Sequence, residues 1–189
     1  LLIMYITYAI GAYFFQSWFH TYLEKGRHMT KDSLLWAASL PYLLGMIGCL
    51  SGGWLSDKAC AKWGKKWGRR IVPMIGLFVA GICIITAANI SDNVAAIVCL
   101  GIGMAFMDVT APAAWAVAMD LGGEKSGTVS GAMNSAGLLG AYVMTTMFGY
   151  LANNYGYNFP LFVIGIIVLI GSFLWLQINA EHKIIFSKR

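Results

Sequence analysis

One apolar segment carries a carboxylate and an indole at helical spacing. Asp108, Pro112, Trp115 and Met119 follow one another at intervals of four, three and four residues, which places them on one face of an α-helix. An ionised, unpaired carboxylate is costly in apolar surroundings, so Asp108 is expected to be protonated, paired or in contact with water. Pro112 lacks a backbone N–H and would kink the helix at the same depth. This face is the predicted wall of a polar cavity.

Two other apolar segments carry polar side chains on one helical face. They are Tyr13, Gln16 and His20 in the first segment and Ser130 and Asn134 in the second, with Ser135 beside that second face. Tyr13 and Gln16 are deep enough to face the hydroxyl groups of a polar substrate, whereas His20 lies near a rim. Such residues also pack against or hydrogen-bond neighbouring helices. Both interpretations stay open at this point.

The composition is that of a membrane protein. The chain is 59% hydrophobic and 11% charged, with a mean hydropathy of +0.69, whereas soluble domains carry about 25% charged residues. Runs of about 20 residues with few charges predict transmembrane helices. The runs are 1–23, 34–56, 71–89, 94–119, 130–151 and 159–178. The predicted fold class is therefore an all-α membrane protein with six transmembrane helices.

A basic segment, GGWLSDKACAKWGKKWGRR, covers residues 52–70 and holds six of the thirteen Lys and Arg residues. If the six runs alternate in direction, it lies on the same side as Leu1, the 120–129 connection and the carboxyl-terminal tail. The cations on that side are Lys58, Lys62, Lys65, Lys66, Arg69, Arg70, Lys125, Lys183, Lys188 and Arg189, against Lys25, Arg27 and Lys31 on the other. Because cytoplasmic loops carry the excess of Lys and Arg, both ends are predicted to be cytoplasmic.

Basic clusters also bind nucleic acid, but one placed between two apolar runs is typical of a topology signal. Trp63 and Trp67, four residues apart, suit an interfacial turn with the indoles at headgroup depth and the cations toward anionic lipid. The four cysteines form no CxxC pair, and no histidine lies at metal-ligand spacing from them. The sequence predicts contact with the lipid bilayer, no nucleic-acid partner, no metal and no cofactor.

Spacing within the basic segment resembles a loop of the major facilitator transporters, Gly-x-x-x-Asp-Arg/Lys-x-Gly-Arg/Lys-Arg/Lys, stretched here by an insertion. The matching residues are Gly53, Asp57, Lys58, Gly68, Arg69 and Arg70. In that family the Asp engages a helix end across the boundary between two six-helix halves, and the cations join the cytoplasmic network that opens and closes the transporter. The resemblance implies the same gating role for these residues.

Three longer segments are similar to one branch of that family, the anion:cation symporters, which include hexuronate, galactonate, glucarate, sialic acid and vesicular glutamate carriers. They are YFFQSWFHTYL at 13–23, ASLPYLLGMIGCLSGGWLSD at 38–57 and WAVAMDLGGEKSGTVSGAMNSAGLLG at 115–140. His20 stands where that branch often has proline, and the branch does not fix an acid at Asp108. The region that matches is the carboxyl-terminal half of such a carrier.

The resemblance implies that residues 1–189 form one six-helix half-bundle, with substrate held near the midplane against another half. The amino-terminal half would come from the same transporter or a partner chain. Trp115 and the Asn of a Met-Asn element are implied substrate contacts. The predicted substrate-binding residues are Tyr13, Gln16, Trp115, Ser130, Asn134 and Ser135. The implied function is proton-coupled symport of a small organic anion, a sugar acid, across a bacterial inner membrane, with Asp108 as the candidate proton-coupling residue.

A chain of this composition could also belong to one of two other classes of protein. A polytopic membrane enzyme needs a catalytic constellation, and the sequence holds no His/Asp cluster and no nucleophile paired with a base. A six-helix structural or regulatory subunit, without transport of its own, stays open. None of the six apolar runs contains Lys or Arg, so a cation that pairs with a carboxylate substrate would come from the other half.

Overall fold

The computed structural model describes residues 1–181, which are built almost entirely from helices. The α-helices are α1 (Leu2–Ser17), α2 (Phe19–Thr21), α3 (Lys31–Asn89), α4 (Asn93–Asp108), α5 (Thr110–Gly122), α6 (Ser126–Tyr155) and α7 (Asn158–Leu174). A π-helical turn covers Tyr22–Gly26, and 3₁₀ turns cover Gly123–Lys125 and Trp175–Gln177. Residues 1–181 contain no β-strand, and the predicted all-α class is confirmed. Lys183, Lys188 and Arg189, which entered the orientation prediction, lie outside the described residues.

Helix α3 is two helices joined by a reversal at Gly64. Its 59 residues would measure about 90 Å as one straight helix, roughly three times the hydrocarbon thickness of a bilayer. Gly64 has φ 76° and ψ 164°, a conformation that glycine adopts because it has no Cβ. Gly68 packs against the backbone of Cys60, which eight residues of continuous helix would hold about 12 Å away. The first arm is therefore 31–63 and the second arm 65–89.

Three helical stretches are long and apolar enough to cross a membrane, namely Lys31–Asn89, Asn93–Tyr155 and Asn158–Gln177. The first reverses at Gly64, and the second is interrupted at Gly123, where φ is 51°. Helix α1 has 16 residues, fewer than the roughly 20 that a crossing needs, and α2 with the π-helical turn continues it to Gly26. The chain is an integral membrane protein, and its six crossings stay a prediction.

Glycines allow the helices to approach one another at backbone contact. The first arm of α3 packs on α4, with Gly48 against the Ala105 carbonyl and Gly52 against the backbone of Val109. At both glycines an added Cβ would collide with backbone atoms. Close approach of this kind drives helix association in membranes. It also brings polar side chains on different helices within reach of one another.

Candidate functional site

A carboxylate and a tyrosine from distant parts of the chain meet inside the helical bundle. Asp108 is the last residue of α4, and its Oδ1 accepts a hydrogen bond of 3.3 Å from the hydroxyl of Tyr8 on α1. Both side chains are half-buried. Gly45, on the first arm of α3, faces the other carboxylate oxygen, and a Cβ there would lie 2.5 Å from Oδ2. The absence of a side chain at Gly45 therefore makes room for the Asp108 carboxylate.

Tyr5 connects this pair to Trp115. The ring centroids of Tyr5 and Tyr8 are 5.4 Å apart, and the side chains of Tyr5 and Trp115 interact. Gly137 on α6 lies against the Tyr5 ring, where an added Cβ would be 2.8 Å from Cε1. The cluster of Asp108, Tyr8, Tyr5 and Trp115, called here the polar cluster, thus draws on α1, α4 and α5 and is bordered by α3 and α6.

The helix break beside Asp108 has a local cause in the sequence. Helix α4 ends at Asp108 and α5 begins at Thr110. In a continuous α-helix the N–H of residue 112 would donate to the carbonyl of residue 108, but Pro112 has no N–H. The helix assignment is interrupted at Val109, whose backbone angles stay helical (φ −54°, ψ −30°), so the kink at Pro112 stays a prediction. The Asp108 side chain accepts its hydrogen bond from Tyr8 on another helix, rather than from the backbone near Pro112.

The other predicted substrate residues differ in exposure. Tyr13 and Ser130 are half-buried, whereas Gln16, Asn134 and Ser135 are exposed, and Trp115 is 37% exposed. The structure joins Trp115 to Tyr5. The exposed side chains are free to meet a ligand or another part of a larger assembly. Their role in substrate binding stays a prediction.

Tyr5, Tyr8 and Gly45 were not among the predicted site residues. Tyr5 and Tyr8 are three residues apart on an apolar helix, which is the same signal that singled out Tyr13 and Gln16. Gly45 carries no such signal, because its role is the space it leaves for a side chain 63 positions further along the chain. Among residues 1–181, His, Cys, Asp and Glu side chains form no group of three or more that could hold a metal ion.

A second polar site lies at the reversal of α3 and contains Asp57 and Arg69 of the predicted gating loop. Arg69 Nη1 donates to Ser56 Oγ at 2.8 Å and to Asp57 Oδ1 at 3.0 Å. Its Nε lies 3.5 Å from Asp120 Oδ2, and Lys65 Nζ lies 3.0 Å from Asp120 Oδ1. The ion pairs thus form a row in which cations and carboxylates alternate, from Lys65 through Asp120 and Arg69 to Asp57. We call these residues the basic end of the molecule.

The remaining residues of the gating loop make different contacts. Lys58 Nζ lies 3.7 Å from the centroid of the Trp54 ring, and the Arg70 guanidinium lies over Trp67 and donates to the Ile178 carbonyl. Gly68 permits the close contact with Cys60 described above, whereas a Cβ at Gly53 would meet only ordinary contact with Pro112. Arg69 is therefore the member of the loop that reaches carboxylates, together with Lys65 from the insertion.

The predicted run 34–56 would end its helix just before Asp57, and the structure corrects this position. The first arm of α3 continues to residue 63, so Asp57 lies almost two turns inside the helix. Its side chain is 74% exposed, whereas those of Arg69 and Asp120 are 14% and 19% exposed. The pairing with Asp120 was not predicted, since Asp120 lies more than 50 residues away from both of its partners.

Long apolar helices that contact one another at glycines and surround a half-buried carboxylate define a helical membrane protein with a polar site inside the bundle. The sequence model of the Major Facilitator Superfamily matches residues 1–145. The chain belongs to this family, and the predicted resemblance is confirmed. Membership favours the transporter class over the membrane-enzyme alternative.

Several curated proteins are similar to most of the chain. A probable sulfoacetate transporter of Cupriavidus necator is 28% identical over 174 residues, covering 91% of this chain and 40% of the relative. A D-galactonate transporter of Escherichia coli is 28% identical over 172 residues, covering 90% and 40%. A hexuronate transporter of Bacillus subtilis is 29% identical over 151 residues, covering 73% and 36%. The chain thus spans about 40% of the length of the relatives it matches.

Proposed function

We propose that this chain forms one six-helix half of a secondary transporter that carries a small organic anion, a sugar acid, by proton-coupled symport with alternating access. The names of three relatives support the substrate class, since they denote a probable sulfoacetate transporter, a D-galactonate transporter and a hexuronate transporter. All three are organic anions, and two of them are sugar acids. The share of each relative that is covered supports the half-carrier role. Substrate lies between this chain and an amino-terminal half.

Asp108 is the proposed proton carrier, and the observation behind this role is its hydrogen bond with Tyr8 inside the bundle. An ionised carboxylate here would repel a carboxylate substrate, so Asp108 binds a proton when the anion binds. Tyr8 can donate to the ionised form and accept from the protonated form. The pair can therefore hold or release a proton without leaving either state unpaired.

Trp115 and Tyr5 extend this proton site toward the substrate. In the proposal, Tyr13, Gln16, Trp115, Ser130, Asn134 and Ser135 contact the sugar acid, with ring faces against its carbon skeleton and amide or hydroxyl groups on its hydroxyls. Helices α1, α4 and α5 contain no Lys or Arg. The cation that pairs with the substrate carboxylate is accordingly expected from the amino-terminal half.

The basic end is the proposed gate on the cytoplasmic side of a bacterial inner membrane. In this role the basic end acts together with the rest of the predicted gating loop, and contacts there form and break as the two halves rock. The residues of that loop are Gly53, Asp57, Lys58, Gly68, Arg69 and Arg70. Alternating access requires the two halves to separate at one end while they close at the other. Ion pairs that can exchange partners suit the end that separates.

The proton role is tested by Asp108→Asn in cells that also express the amino-terminal half. The variant is expected to keep substrate counterflow, which needs no net proton movement, while uphill uptake falls to about equal concentrations on the two sides. Asp92→Asn is the matched control, because Asp92 caps α4 through Ala95 N and Asn caps as well. Unchanged uphill uptake and an unchanged pH profile in Asp108→Asn would remove Asp108 from the proton path.

The half-carrier role is tested by expressing the chain alone and together with an amino-terminal half. Alone, it is expected to insert into the membrane and to move no sugar acid, because the cation for the substrate carboxylate is missing. Co-expression is expected to restore uptake. Robust uptake by the chain alone, without dimerisation, would contradict this role, and binding to an intact carrier without uptake would favour the regulatory subunit.

A further inference from the structure

An apolar groove lies between the two arms of α3, next to the basic end. Its volume is about 340 Å³, at the lower end of the range of ligand-binding pockets. Both arms of α3 line it, together with residues near the end of α4. The lining residues that matter here are Leu55, Lys58, Lys62, Trp63, Ile75 and Phe106. The two lysines are the charged residues of this lining.

The groove is open at the surface of the bundle. Leu55, Trp63 and Ile75 are 40%, 49% and 48% exposed, and they line it together with the edge of Phe106. Apolar surface of this kind is costly against water, whereas a hydrocarbon chain covers it without loss. The lining from residue 55 to residue 62 extends along the helix axis for about 10 Å. The groove therefore has the shape of a slot for an extended apolar chain.

Two cations line the groove on the first arm, within about two helical turns of the reversal at Gly64. Lys58 and Lys62 are one helical turn apart, and both are exposed. Lys58 Nζ lies 3.7 Å from the Trp54 ring centroid, and Lys62 Nζ lies 5.1 Å from that of Trp63. Indoles of this exposure are typical of headgroup depth. The groove thus has an apolar floor and a cationic mouth.

The charge of these lysines is not compensated by carboxylates within the described part of the chain. Among residues 1–181, the ion pairs join Lys65 and Arg69 to Asp57 and Asp120. Lys58 and Lys62 point to the other side, where they contact indole rings instead. The basic segment is therefore divided into cations that are paired inside the protein and cations that can bind an external anion.

We propose that this groove binds one anionic phospholipid. The phosphate lies between Lys58 and Lys62, and one acyl chain lies in the groove against Leu55, Ile75 and Phe106. A cation near the membrane surface attracts anionic lipid, and the adjacent slot holds the chain that a soluble anion lacks. The bound lipid holds the two arms of α3 together beside the reversal at Gly64.

The headgroup contact is tested on the purified chain in detergent, by native mass spectrometry during titration with phosphatidylglycerol or phosphatidylcholine. Tighter binding of phosphatidylglycerol is expected. The double variant Lys58→Gln with Lys62→Gln is expected to weaken it about tenfold. The control is Lys25→Gln with Lys31→Gln, two exposed cations outside the basic segment. Equal binding of the two lipids, or equal loss in both double variants, would overturn the proposal.

The acyl contact is tested by filling the groove. Ile75→Trp is expected to weaken phosphatidylglycerol binding about as much as the lysine variant, while Ile82→Trp is expected to bind normally. Ile82 is the matched control because it is 44% exposed on the same arm and does not line the groove. Normal binding by Ile75→Trp, or full competition by glycerol 3-phosphate, would show that only the charged headgroup binds. Either result would overturn the proposal that an acyl chain lies in the groove.

Discussion

Two arginines hold the two ends of the second arm of α3, and they do so with different partners. At one end, Arg27 donates to the carbonyls of Ala87 and Ile90 at 2.5 and 2.6 Å and to the Tyr22 hydroxyl at 2.7 Å. At the basic end, Arg69 contacts two carboxylates, and Lys65 shares one of them. Both cations connect helices, but only Arg69 does so through charged partners.

The partners of Arg27 are fixed by the helix itself. Ala87 and Ile90 lie where α3 ends, so their carbonyls lack partners in the next turn. A cation at this position also interacts favourably with the helix dipole. Asn93 Nδ2 returns a hydrogen bond of 3.2 Å to the Arg27 carbonyl, which adds α4 to the clamp. None of these groups changes charge or moves independently of its helix.

The partners of Arg69 can exchange. Asp120 accepts from Lys65 and also lies near Arg69, and the Asp57 side chain is mostly exposed. Water and salt compete for the exposed side chains of Asp57 and Lys65, and pairs with an exposed member contribute little stability. The Arg27 end is therefore expected to contribute more to stability than the basic end, which is the end proposed to rearrange. The first three predictions that follow test this difference and the fourth tests on which side of the membrane the basic end lies, from the largest expected effect to the smallest.

Arg27→Ala is expected to give the largest loss of stability. It removes three hydrogen bonds and leaves two helix-terminal carbonyls unpaired, which we expect to lower the free energy of unfolding by about 3 kcal/mol. Chemical denaturation of the purified chain in detergent measures this. Lys25→Ala, an exposed cation two residues away, is the control and is expected to have little effect. Equal effects of the two variants would show that the clamp does not stabilise the fold.

Asp120→Asn is expected to have a smaller effect on the same measurement. It removes one carboxylate from Arg69 and the partner of Lys65, but the Lys65 side chain is 61% exposed, so solvent screens that pair. The expected loss is about 1 kcal/mol. Glu124→Gln, an exposed neighbour, is the matched control. A loss as large as that of Arg27→Ala would mean that the basic end is a structural clamp as well.

High salt is expected to change the stability contributions of the two ends to different extents. At about 1 M NaCl the Debye length is ~3 Å, so the loss caused by Asp120→Asn is expected to fall by about half. The loss caused by Arg27→Ala is expected to persist, because its acceptors are neutral and partly buried. Denaturation curves at low and high salt measure both. If salt reduced the two losses equally, the proposed difference between the ends would not hold.

The smallest effect concerns Cys60, a half-buried thiol at the basic end. Burial is the main cause that raises the pKa of this thiol above its usual value. A raised pKa lowers the thiolate fraction at neutral pH, so alkylation is expected to be slow at pH 7 and faster as pH rises. An impermeant maleimide is expected to label Cys60 in inside-out vesicles and not in intact cells, with Cys60→Ser as the control. Labelling of intact cells would place the basic end outside.

The sequence by itself determined the membrane class, the family and the location of the charged loop. These properties are local, because each apolar run must satisfy its own backbone hydrogen bonds in lipid and because the family motifs are contiguous. The spacing of Asp108 and Trp115, with Pro112 between them, was readable for the same reason. The all-α class followed from hydrophobic runs alone.

Only the tertiary structure decided which side chains meet. Tyr8 reaches Asp108 across 100 positions, Arg27 reaches the end of α3 across 60, and Lys65 reaches Asp120 across 55. Helical periodicity specifies the face on which a residue lies, but not the helix that packs against that face. That choice depends on glycines such as Gly45, whose missing side chain admits a neighbour. Whether the surfaces of two helices fit together cannot be read from the spacing of residues in either helix alone.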